Sequence, residues 1–124
     1  MFQFPKNQKL CSEKEIEILF KTGSFMSERP FKIVWQLKKS TENPTAKALI
    51  VVSKKRLKLA VERNFIKRRI KESYRHQKKN LESVLKKHGF QLTLAIIYQN
   101  DKLLDYKTIE MKINILINRL INKL

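Results

Sequence analysis

Cysteine, glycine and long apolar runs are nearly missing from this chain. Its 124 residues hold one cysteine, Cys11, and two glycines. A lone cysteine excludes an intrachain disulfide and gives no sign of an oxidising compartment. Next to the expected first helix, Cys11 reads as a small packed residue rather than a reactive thiol. The opening MFQFPKNQKL has no continuous apolar stretch before a small-residue cleavage site, and ALIVV at Ala48 to Val52 is far too short to span a bilayer. A cytoplasmic location is expected, with no membrane partner. Acidic residues are scarce too: eleven Asp and Glu stand against 28 Lys and Arg, a formal net charge of +17. Such an excess repels itself unless a polyanion sits nearby, so nucleic acid is the leading partner.

The length suits a single domain, 1–124, with one core. Ser12 and Glu15 form a capping box, and Ile16, Leu19 and Phe20 recur at helical spacing until Gly23, where a left-handed stop is expected. In Phe31 to Leu37, the residues Phe31, Ile33, Trp35 and Leu37 alternate with Lys32, Val34 and Gln36, the period of a half-buried strand, with Trp35 on the core side. A turn is expected at ENPT, Glu42 to Thr45. Ala46 to Ser53 is apolar on both faces, which suggests an interior strand.

Leu59 to Lys87 reads as helix, with a break expected near Asn80, ending at Gly89. Leu92 to Tyr98 forms another strand. Asp105 can cap a last helix whose stripe is Ile109, Ile113, Leu116, Ile117 and Leu120. The order α-β-β-α-β-α, with room for one further short strand, predicts an α+β two-layer sandwich in which helices pack on a mixed sheet. If the strands flanking the long helix lie parallel, a right-handed crossover is the default.

Between Lys54 and Lys79 stand twelve Lys or Arg and two Glu. At about 100° per residue, Ile66, Ile70, Tyr74 and Gln77 share one face of the helix. Asn64, Lys67, Arg68, Lys71, Arg75, Lys78 and Lys79 fill an adjoining arc of roughly 120°. Arg63 falls nearer the apolar side, at the helix start, from where it could reach outward beside exposed N–H groups. A face that merely solvates a helix usually mixes its signs. Here like charges recur at i,i+4, as in Lys67 with Lys71 and Lys71 with Arg75, a repulsion that a bound polyanion would remove.

The run IVVSKKRLKLAVERNFIKRRIKESYR, Ile50 to Arg75, resembles the protein subunit of bacterial ribonuclease P, in which a strand leads through a basic linker into a helix opening with Arg-Asn-Arg. IEILFKTGSF, Ile16 to Phe25, is similar to that family's first helix and its exit, and the last strand and helix also fall where the family has them. One departure stands in the central motif, which reads Arg63, Asn64, Phe65 in this chain.

The resemblance implies an accessory subunit that assists a catalytic RNA in endonucleolytic removal of the 5′ leader from precursor tRNA. Mg2+ would be held mainly by the RNA subunit. It implies that Lys54, Lys55, Arg63, Asn64, Lys67, Arg68 and Lys71, joined by Arg75 on the same helical arc, face the ribonuclease P RNA. A cleft between the first helix and the sheet would take the leader at Ile16, Phe20 and Val34. The family often carries Phe where this chain has Ile16, which would reduce a stacking contact to an apolar one. The family fold further implies a left-handed βαβ crossover in place of the default.

Nothing in the chain reads as its own catalytic or metal centre. His76 and His88 are too far apart to share a helical turn, and the pairs Glu13/Glu17 and Asp101/Asp105 read as solvated or capping carboxylates. The alternatives are a ribosomal or other general nucleic-acid-binding protein with no role in cleavage, and a self-sufficient nuclease. The first predicts binding without an effect on cleavage, the second cleavage without RNA.

Overall fold

The structure of the protein is a computed structural model that describes residues 13–39 and 45–124. Cys11, the capping residue Ser12 and most of the ENPT turn lie outside the described residues. The elements are α1 (Glu13–Thr22), β1 (Ser24–Glu28), β2 (Phe31–Lys39), β3 (Ala46–Val52), α2 (Ala60–His88), β4 (Phe90–Tyr98) and α3 (Tyr106–Lys123). The further short strand is β1, joined to β2 by a turn at Arg29 and Pro30.

The sheet runs in the order β1-β2-β4-β3. β2 is antiparallel to β1 and to β4, while β3 lies parallel to β4 with Ile50 opposite Ile96. The fold is therefore α+β with a mixed four-stranded sheet. β3 is an edge strand rather than an interior one, and β4 takes the interior place beside it. Its apolar residues have two uses. Ala46, Ala48, Ile50 and Val52 face the main core, whereas Leu49 packs on the other side against a smaller cluster. Partial cover on the second face, not a central position, explains the doubly apolar sequence.

The main core lies between one face of the sheet and helices α2 and α3. Ile66, Ile70, Tyr74, Leu81 and Leu85 of α2 are buried, as are Ile109, Ile113, Leu116, Ile117 and Leu120 of α3. Each such side chain contributes about 1.5–3 kcal/mol when taken from water. Helix α2 runs unbroken through Asn80, because Leu81 and Leu85 continue the buried stripe begun by Ile66. Its C-terminus is closed by Gly89 at φ 70°, whose N–H donates to the Leu85 carbonyl. At the start of α3, the Asp105 carboxylate accepts from the Thr108 N–H at 3.1 Å, and hydrogen bonding by Thr108, from its side chain first and its N–H second, holds the carboxyl below the usual range.

Helix α1 packs on the opposite face, where Leu19, Val34 and Ala95 form a second, smaller buried cluster. Alternation along β2 puts Val34 there, since Phe31, Ile33 and Trp35 point into the main core. Gly23 ends α1, but its backbone is not left-handed: Gly89 is the one glycine with positive φ. The requirement at Gly23 is space. A Cβ there would meet the Leu19 carbonyl oxygen at 2.5 Å and the Trp35 carbonyl oxygen at 3.0 Å. Glycine thus lets the exit of α1 lie directly on β2, where Gln36 Nε2 also donates to Thr22 Oγ1 at 3.1 Å.

Candidate nucleic-acid interface

The basic segment begins at the end of β3. Lys54 and Lys55 are exposed in a turn in which the Lys55 N–H donates to Ser53 Oγ at 3.0 Å. The linker then anchors itself by Leu57, which is buried in the main core, and enters α2 after Leu59. Leu59 supplies no side-chain cap to the helix. Arg63 instead turns back on the linker: its Nη1 donates to the Leu57 carbonyl at 2.9 Å and to the Lys58 carbonyl at 2.8 Å. The outward reach expected for Arg63 is replaced, in part, by a clasp on the linker backbone, because those carbonyls lie six and five residues before it, in the linker that leads into α2.

Further along α2, Ile66, Ile70 and Tyr74 face the core, so the rest of the helix is turned toward solvent. Asn64, Arg68 and Arg75 are exposed and Lys67 and Lys71 half-buried, which brings the predicted arc onto one accessible side. Burial raises the Tyr74 hydroxyl well above the ordinary tyrosine value, consistent with its place under the helix. Arg75 is partly committed within the helix. It grips Glu72 through Nη2 at 2.6 Å and Nε at 3.3 Å, and that bond is the chief reason the Glu72 carboxyl is held below its ordinary value. Arg68 is exposed and has no carboxylate partner among the described residues, which leaves its guanidinium available on the arc.

Phe65, at the departure from Arg-Asn-Arg, is 39% exposed, and the Arg69 guanidinium lies over its ring at 4.0 Å from the centroid. Sequence reasoning noted the substitution but not this pair, although i,i+4 spacing on a helix is a sufficient signal.

A second surface lies on the α1 side of the sheet. Ile16 packs half-buried against the small cluster, and Phe20 stands 46% exposed. Val34 is 6% exposed beneath α1, so it supports this surface from below more than it lines it. The structure adds Phe25 and Lys32. Phe25 registers opposite Val34, shares its face, and is 69% exposed, with Lys32 Nζ at 4.8 Å from its ring centroid. Alternation through β1 would have found Phe25 had β1 been placed. A depression between α1 and the sheet is lined by Glu15, Ile18, Gln36, Lys38, Gln91 and Thr93.

Among the described residues no cluster of His, Cys, Asp or Glu could hold a metal ion, and no helix is long and apolar enough to cross a membrane.

A four-stranded mixed sheet, helices on both its faces and a long helix loaded with cations define a small α+β protein with a strongly basic helix. A family profile described as Ribonuclease P matches residues 4–121. The ribonuclease P protein component of Porphyromonas gingivalis is 32% identical over 109 residues, covering 88% of this chain and 80% of that one. That of Chlorobium phaeobacteroides is 32% identical over 101 residues, 75% of this chain and 69% of the relative. Among solved structures, the RNase P protein of Staphylococcus aureus superposes with TM-score 0.69 at 22% identity, covering 91% of this chain and 94% of that one. The RNase P protein of Thermotoga maritima gives 0.69 at 21%, over 90% and 96%. The chain belongs to the ribonuclease P protein family.

Proposed function

We propose that this chain acts as one RNA-binding domain, the accessory subunit that helps a catalytic ribonuclease P RNA to cleave the 5′ leader from precursor tRNA in the cytoplasm. The observation that supports this most is the accessible arc of α2, where Asn64, Lys67, Arg68, Lys71 and Arg75 stand together over a buried stripe. An RNA backbone can neutralise that arc, and its release of counterions supplies the affinity. Lys54 and Lys55 extend the surface across the linker. Arg63 serves it mainly by fixing the linker's path.

The α1 face takes the single-stranded leader. Phe20 offers an aromatic face, Ile16 an apolar one, and Val34 holds up the floor. Hydrolysis belongs to the RNA subunit and the Mg2+ it holds. This chain's part is to bind and orient, lowering the concentration of magnesium that the RNA needs to hold its substrate.

The test is cleavage of precursor tRNA by the cognate ribonuclease P RNA at low magnesium, with and without the protein. Stimulation that is lost in Arg68→Ala, Lys67→Ala supports the reading. Tight, salt-sensitive binding without stimulation overturns it in favour of a general nucleic-acid-binding protein.

A further inference from the structure

Phe65 stands in the most basic part of the chain, where the resemblance implies a cation, yet it is not withdrawn into the core. It stays 39% exposed on α2. By helical geometry it lies about 60° from Arg68, at the border of the basic arc, with exposed Val61 one turn before it and Arg69 one turn after. An aromatic ring left in water in such a place costs hydrophobic free energy unless something covers it.

The charges around the ring narrow what that cover can be. The Arg69 guanidinium sits at 4.0 Å from the ring centroid on a half-buried side chain. Glu72, the acid of the next turn, is occupied by Arg75 at 2.6 Å and His76 at 3.1 Å. Arg69 therefore keeps donors that no carboxylate among the described residues uses, held beside an aromatic face. A flat π-system carrying a phosphate matches both features: the ring takes a base and the guanidinium takes the anion attached to it.

We propose that Phe65 and Arg69 form a stacking platform for one unpaired nucleobase of the ribonuclease P RNA, with Arg69 or Arg68 on the adjoining phosphate. At this position the chain exchanges a charge contact for a base contact. The inference rests on the accessory-subunit reading for the identity of the RNA.

The experiment is binding of the intact chain to the cognate ribonuclease P RNA, transcribed in vitro, across a series of potassium chloride concentrations. The variants are Phe65→Ala, Phe65→Leu and Phe65→Tyr, with the thermal midpoint of each measured as a control on folding. Stacking predicts that Phe65→Ala and Phe65→Leu both lose on the order of 5- to 150-fold in affinity, that Phe65→Tyr stays close to the parent, and that the slope against log salt is unchanged. A Phe65→Leu variant that binds as the parent does would reduce the contact to apolar cover and overturn the platform. So would a Phe65→Ala variant within about twofold of the parent; the patch would then serve some other partner. The parent's own stimulation of precursor tRNA cleavage separates the two readings. If the parent stimulates while Phe65→Ala equals it, only the platform fails; if the parent neither binds nor stimulates, the accessory reading fails and takes the platform with it.

Discussion

Arg63 and Leu57 are clasped across the entrance to α2, Nη1 of the arginine donating to the leucine carbonyl at 2.9 Å while it also holds the Lys58 carbonyl at 2.8 Å. Leu57 is itself buried in the main core, so the clasp ties the basic linker to the helix at a fixed point. Arg68, five residues on and exposed, makes no comparable bond among the described residues. The two arginines should therefore fail differently. Arg63→Ala is expected to cost about 1–2 kcal/mol of stability, measured by urea unfolding, and to speed amide exchange through residues 57–63. Arg68→Ala should leave stability unchanged and lower the salt slope of RNA binding by about one phosphate contact. Equal stability of the two variants would remove the distinction.

On the α1 face, Phe20 and Phe25 are the exposed aromatic side chains among the described residues, with Val34 covered between α1 and the sheet. Phe20→Ala is expected to weaken binding of precursor tRNA to the assembled ribonucleoprotein by roughly 5-fold or more, with binding of leaderless tRNA unaltered. Phe25→Ala should act in the same direction. A loss shared equally by both substrates would place these side chains outside the leader path.

Gly23→Ala should destabilise the fold by about 1–3 kcal/mol. The new Cβ meets backbone oxygens of Leu19 and Trp35, which cannot swing aside as a flexible side chain would. Because the strain arises from close approach and not from a left-handed backbone, Gly23→Asn should be no better tolerated, whereas at Gly89, with φ 70°, Asn should be tolerated better than Ala. Thermal midpoints of the four variants would decide between the two kinds of glycine.

Alkaline stability offers a further check. Burial pushes the Tyr98 hydroxyl up to about 12, and the group donates to the Lys102 carbonyl; Tyr74 is raised further by the same cause. In the unfolded chain a tyrosine ionises near pH 10, so the folded state binds the proton more tightly. The resulting stability is fully present below about pH 10 and is lost as pH rises through the folded values. Denaturant midpoints should fall above about pH 10 in parallel with phenolate absorbance, and Tyr98→Phe should flatten part of that decline. A midpoint independent of pH across that window would contradict the assignment.

Much of this protein was written locally. Period-two alternation in Phe31 to Leu37 and three- to four-residue spacing from Ile109 to Leu120 located β2 and α3, because each pattern follows from the geometry of a single element. The excess of Lys and Arg between Lys54 and Lys79, with Arg63 and Asn64 within it, was enough to mark the basic helix and its family. Charge and spacing are properties of the chain before it folds. Tertiary structure decided the rest: β3 at an edge, Val34 under α1, Arg63 turned back to Leu57, and Phe65 left in the open beneath Arg69. Strand order and the cover on the second sheet face depend on contacts between segments far apart in sequence, and a side chain's final partner depends on which backbone the fold brings within its reach. The sequence determined where the cations are; only the folded chain determined which of them remain free to meet a phosphate.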